Sequence, residues 1–245
     1  MHVGTLPAPP IEFSVVGPAR VLTCQQGYTY LHGYKLFKTF PVNASTSFKF
    51  VSMILQCTGG GILVPIFINS VPVPLAQDAY PIAIAISFLL HLYVPILSEV
   101  MTLSPVMKPA IIVLYETMRA AVVVKLTAAA GAAIPASELS FPLFGPIFCG
   151  TISGCGGAFL PLNKGLDPIK LEGLGQPMLS ALIAATGYHL FLSTSLSEGV
   201  IDAKKKAHVC VTTFFILYHL YTVRSSFLPA PTKKATVKKE TKKTK

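Results

Sequence analysis

Gly60-Gly61-Ile62-Leu63-Val64-Pro65 recurs 96 positions later as Gly156-Gly157-Ala158-Phe159-Leu160-Pro161. The same offset of 96 carries Phe48 onto Phe144, Val51 onto Ile147, Pro81 onto Pro177, Ala85 onto Ala181 and Lys108 onto Lys204. One offset kept without gaps over about 60 positions marks an internal repeat. Each copy holds a glycine-interrupted apolar stretch, a second stretch opened by Pro81 or Pro177, and a third beginning near Lys108 or Lys204.

The stretches between charges are long enough to cross a bilayer. Residues 50–77, 79–98, 139–163, 173–197 and 207–223 contain no Asp, Glu, Lys or Arg. About 20 apolar residues at 1.5 Å rise cover a hydrocarbon core of about 30 Å, so each can span, the last only just. The composition agrees, with 52% hydrophobic and 12% charged residues against about 25% charged in a soluble domain. A sixth span, Pro109 to Ile134, carries Glu116, Arg119 and Lys125. Charges at membrane depth face protein or water, so this helix is expected at the centre. Residues 11–37 mix aromatic residues with Glu12, Arg20, Lys35 and two Gln, and read as a poor first span or an interfacial helix. The fold expected is an all-α membrane bundle of seven transmembrane helices, or six if 11–37 does not span. Residues 1–40 form an N-terminal segment, 41–228 the transmembrane domain with copies about 48–134 and 141–228, and 229–245 a basic, disordered tail.

Three spans per copy is an odd number. Copies that follow one another directly must therefore insert in opposite directions, related by a two-fold axis in the membrane plane. Within each first span, Thr58-Gly59-Gly60-Gly61 and Ser153-Gly154-Cys155-Gly156-Gly157 are followed by Pro65 and Pro161. Glycine removes the side chain and proline a backbone donor, so both helices are expected to kink or unwind at mid-membrane. Such backbone is tolerated only where protein buries it or water lines it, which points to a permeation or binding path. Close packing of helices through small residues accounts for the same glycines.

Net charge is +10, but seven lysines fall in residues 233–245, so the basicity is a property of the tail and not of a nucleic-acid surface. Lys242 and Lys243 stand fourth and third from the end, the form of a dilysine retrieval signal on a cytosolic tail. Cys24, Cys57, Cys149, Cys155 and Cys210 have no metal-ligand spacing and read as small buried hydrophobes. No Ser/His/Asp, Cys/His or paired-carboxylate set has useful spacing, so an enzyme is disfavoured, and His91 and His189 read as packed or interfacial residues. With seven spans and a lumenal amino terminus, Lys35, Lys38, Lys108, Lys164, Lys170 and the tail are cytosolic. Lys204, Lys205 and Lys206 contradict this pattern. Asn43-Ala44-Ser45, a formal glycosylation sequon, is cytosolic in either topology and expected to be unused.

This arrangement resembles the trimeric intracellular cation channel family over residues of about 40 to 228, where glycine-rich breaks in two helices flank a pore in each subunit. Lys108, Glu116 and Arg119 match the family's signature region on its fourth helix, while its leading Lys is Tyr115 here. The resemblance implies a homotrimer in the endoplasmic reticulum or a related intracellular membrane, passing monovalent cations, chiefly K⁺, as counter-ions when Ca²⁺ leaves the store. It implies no metal or cofactor beyond a bound phosphoinositide lipid, engaged in the family by that leading Lys, by the Arg that is Arg119 here and by the glycine break; Lys108, Glu116 and Arg119 are the lipid-binding or gating candidates. Tyr115 weakens that implication, and an ion pair within the helix explains Glu116 and Arg119 equally well. The pore candidates are Thr58, Gly59, Gly60, Gly61, Pro65, Ser153, Gly154, Gly156, Gly157 and Pro161, with the hydroxyl of Thr151 beside them. A secondary transporter built on inverted repeats is the alternative, and a non-conducting scaffold a third.

Overall fold

The computed structural model describes residues 18–104, 106–136, 138, 140–160, 166–170 and 173–224. They form α1 (Pro18–Phe37), α2 (Thr46–Phe67), the short α3 (Val73–Ala76), α4 (Ala79–Tyr93) and α5 (Ile96–Leu103). The long α6 (Met107–Ala133) follows, then α7 (Phe144–Cys155) continuing into a 3-10 turn (Gly156–Ala158). The short α8 (Asp167–Lys170), α9 (Gln176–Ser193), a second 3-10 turn (Ser195–Ser197) and α10 (Ala203–Val223) complete the elements of the described residues. Strands are absent among the described residues.

Helix α6 is the centre of the bundle, packed by α1, α7, α9 and α10. The charges at its midpoint require this, because Glu116 and Arg119 are both buried and an ionised group away from water needs partners on every side. Helix α1 belongs to the same bundle, lying against α4 and α6. Of the polar residues that make it read as a poor span, Gln25 is buried and Gln26 faces α4, whereas Lys35 is exposed. Gln26 Nε2 donates to Ser87 Oγ at 2.7 Å, and the Thr29 and Ser87 hydroxyls are 2.7 Å apart. Gly27 lets α1 approach α6, since a Cβ there would meet Leu114 Cβ at 2.5 Å.

Beside an apolar core, polar side chains are buried and large apolar ones are exposed. Thr29, Ser87, Glu116, Arg119, Thr127, Ser180 and His219 are buried, while Phe48, Val51, Ile82, Leu89, Phe144, Phe148, Val209 and Leu217 are exposed. The charge-free stretches overstate helix length. Residues 79–98 break after Tyr93, where Pro95 caps the short α5, and 139–163 yields only the 12 residues of α7. Among the described residues, Thr46–Phe67 alone is both long and apolar enough to cross a bilayer by length and composition, and Ala79–Tyr93 is apolar but shorter.

Candidate functional site

The two glycine motifs meet. Helix α2 crosses α7 and its 3-10 turn with backbone against backbone. A Cβ on Gly156 would lie 2.5 Å from the Gly60 nitrogen, one on Gly59 would lie 2.5 Å from the Gly157 nitrogen, and one on Gly60 would strike the Ser153 carbonyl. Only glycine permits this approach. Gly61 faces Val73 at 3.3 Å instead, and Gly154 faces Ala181 and Val123.

The expected break forms in one copy only. Helix α2 runs unbroken through Gly59, Gly60 and Gly61, with Pro65 inside it. Pro65 lies in the final turn, where its missing donor costs a single bond, and contact with α7 offsets the roughly 1 kcal/mol that each interior glycine costs a helix. Helix α7 does end within its motif, at Cys155. There the Gly154 carbonyl accepts from Arg119 Nε at 2.9 Å, a contact for which the corresponding part of α2 shows no equivalent. Pro161, Lys242 and Lys243 lie outside the described residues.

Arg119 ties four helices together. It donates to Gly154 O on α7, to Glu116 Oε2 on its own helix at 3.1 Å, to Ser180 Oγ on α9 at 2.9 Å, and to Pro177 O at the start of α9. Its guanidinium carbon lies 4.4 Å from the ring centroid of Phe215 on α10, a cation–π contact. The second carboxylate oxygen of Glu116, Oε1, is bonded to His219 Nδ1. The ion pair within α6 read from the sequence is therefore present, buried and extended by α9 and α10.

No protein-family model matches this sequence, and no curated protein matches it. Solved structures do match. A trimeric intracellular cation channel from C. elegans in the absence of Ca²⁺ is 21% identical, with a TM-score of 0.65 over 82% of this chain and 89% of that one. A structure from C. elegans with bound Ca²⁺ is 18% identical, with a TM-score of 0.61 over 85% and 91% of the two chains. One described as showing the basis for activity of TRIC counter-ion channels in calcium release is 16% identical, with a TM-score of 0.61 over 85% and 93%. The fold is that of the trimeric intracellular cation channels.

On this channel fold the glycine crossing separates two cavities. The larger, about 290 Å³, is lined by Lys35, Tyr115, Glu116, Arg119 and His219 together with the glycine turn of α7. The smaller, about 20 Å³, is lined on its polar side by Thr58 and Tyr80. Both share Tyr28, Gly60 and Ser153 as walls. Thr58, Thr151 and Ser153 donate their protons to carbonyls of their own helices, at 2.6, 2.7 and 2.6 Å, which leaves hydroxyl lone pairs as acceptors.

The structure thus brings together Thr58, Gly59, Gly60, Ser153, Gly154, Gly156, Gly157, Glu116 and Arg119. Lys108 stands in the first turn of α6, two turns before Tyr115, and does not line the larger cavity. His91 and His189 are packed residues, bonded to the carbonyls of Tyr30 at 3.0 Å and Pro142 at 2.5 Å. Of the cysteines, Cys57, Cys149 and Cys155 are buried, Cys24 is half-buried and Cys210 is exposed.

Three residues of the site escape the sequence reading. His219 lies in a charge-free stretch with nothing local to mark it; the available signal was that Glu116 has two oxygens and Arg119 covers only one. Tyr28 and Lys35 come from α1. Tyr28 stacks on Tyr115 with centroids 5.0 Å apart, and Lys35 Nζ lies 5.3 Å from the Tyr115 ring centroid.

Proposed function

We propose that the chain is an integral membrane channel that passes monovalent cations, chiefly K⁺, through one narrow pore in each subunit. The observation that carries this reading is the pair of cavities, each with polar groups in its wall, that meet at Tyr28, Gly60 and Ser153. The smaller has room for about one water, so the described conformation is narrow at the crossing. Backbone carbonyls and the hydroxyl lone pairs replace part of an ion's hydration there. The apolar exterior suits lipid, and the span count is seven, from α1, α2, α4, α6, α7, α9 and α10.

Contact between Gly60 and Gly156, which are related by the offset of 96, supports an inverted repeat, since equivalent residues touch only near the symmetry axis. Packing favours α1, α2 and α4 as one copy and α6, α7 and α9 as the other, because each trio is in mutual contact. Helix α10 is then the added span. This division moves both copies one helix toward the amino terminus relative to 48–134 and 141–228.

By likeness to the channels, the assembly is a homotrimer in the endoplasmic reticulum or a related membrane, its carboxy terminus cytosolic, carrying counter-current for Ca²⁺ release. Four donations by Arg119 to protein acceptors leave little of its guanidinium for a phosphoinositide. The cation available to such a headgroup is the exposed Lys35 at the cavity. A transporter is disfavoured for a related reason: Glu116, the acid of this cavity, is already bonded to Arg119 and His219. Planar-bilayer recording of the purified protein tests the proposal, with single-channel currents reversing near the K⁺ equilibrium potential. Silent bilayers together with saturable, ion-dependent solute uptake into liposomes would establish the transporter instead.

A further inference from the structure

Lys204, Lys205 and Lys206 sit where the charge bias of the loops calls for no lysine, and conduction makes no use of them. They open α10 beside an apolar crevice of about 400 Å³ between α9 and α10. Its walls include Ile183 and Phe191 of α9, Val200 of the connection, and Val211 and Phe214 of α10; the charged group among them is Lys206. Gly187 lines the crevice midway along α9, and a Cβ there would meet nothing within 4 Å. The missing side chain is therefore part of the opening. From Ile183 to Phe191, and from Lys206 to Phe214, each wall runs about 12 Å at 1.5 Å per residue.

This is a slot with one cationic end and an apolar remainder. Lys205 pairs with Asp202 at 3.3 Å, which leaves the exposed Lys206 on the crevice wall for an anion outside the chain; Lys204 does not line the crevice and adds only to the charge of the region. A peptide segment would bring backbone polar groups into a slot that cannot satisfy them. An acyl chain brings none, and a phosphate joined to it meets Lys206. We propose that this crevice binds an anionic phospholipid, one acyl chain between α9 and α10 and the phosphate on Lys206. The proposal rests on the chain being a membrane protein, but not on its conducting ions.

Native mass spectrometry of the full chain in detergent decides the matter, titrating phosphatidylglycerol and phosphatidylcholine of matched acyl chains in turn. Phosphatidylglycerol is expected to bind about tenfold more tightly. Lys204→Gln with Lys206→Gln is expected to bring that ratio close to one while phosphatidylcholine binding is unchanged. Gly187→Leu, which fills open space, is expected to weaken both lipids. Equal affinities in the wild-type protein, or a preference that survives loss of both lysines, overturn the proposal. A preference abolished with the lysines but indifferent to Gly187→Leu overturns the crevice, since it reports a charged surface alone. A wild-type protein that is electrically silent yet shows this lipid pattern overturns the channel and supports the site. Recovery of the chain as a soluble protein without detergent overturns both.

Discussion

Arg119 Nε donates to the carbonyl of Gly154 at 2.9 Å, across 35 positions of sequence. The bond joins the charged centre of α6 to the point where α7 stops being an α-helix. It makes the second glycine motif a turn held by a side chain, whereas α2 passes through its own motif intact.

Removing the guanidinium leaves Glu116 buried with His219 alone, and breaking one partner of a buried pair costs about 3–5 kcal/mol. Arg119→Leu is therefore expected to lower the thermal midpoint strongly, measured by fluorescence-detected size exclusion. Glu116→Gln introduced beside it is expected to recover part of the loss, because the uncompensated charge is gone. A double-mutant cycle that comes out additive would show that the two residues do not couple.

His219 secures the other carboxylate oxygen of Glu116 from α10. His219→Leu is expected to cost about 1–3 kcal/mol, the desolvation of an acceptor left without its donor. His219→Gln, which can still donate, is expected to cost less. Equal midpoints for the two variants would remove the hydrogen bond from this account.

The glycines of α2 divide by what they face. Gly60→Ala puts a methyl group into the Ser153 backbone, whereas Gly61→Ala meets side chains alone, Val73 at 3.3 Å and Pro74 at 3.8 Å. Gly60→Ala is expected to lower both stability and K⁺ conductance. Gly61→Ala is expected to stay within about 1 kcal/mol of wild type, since alanine's helix propensity offsets the crowding. Matched midpoints and currents for the two variants would mean that the crossing is not the constriction.

Lys35 places an exposed ammonium at the larger cavity, where it repels entering cations. Lys35→Gln is expected to raise single-channel K⁺ conductance in about 0.1 M salt, where charges act over about 10 Å. The difference is expected to vanish near 1 M, where that reach falls to about 3 Å. A difference of equal size at both salts would point to a change of shape instead.

The all-helical class and the repeat were legible in the sequence alone. Charge-free stretches, a repeat offset of 96 and two Gly-Gly-x-x-x-Pro motifs are local or periodic features, and periodicity survives without knowledge of which helices touch. Glu116 and Arg119 were legible for the same reason, as neighbours on one helix face. Only the tertiary structure decided the remainder. Whether the glycines unwind a helix or press two together depends on what lies opposite, and in the copy where the helix ends Arg119 holds the Gly154 carbonyl. Likewise α1 reads as a poor span or an interfacial helix, and only the structure shows it packed in the bundle with Gln26 and Thr29 facing Ser87 on α4. His219 meets Glu116 across 103 positions, a distance over which no spacing rule operates and only packing brings side chains together.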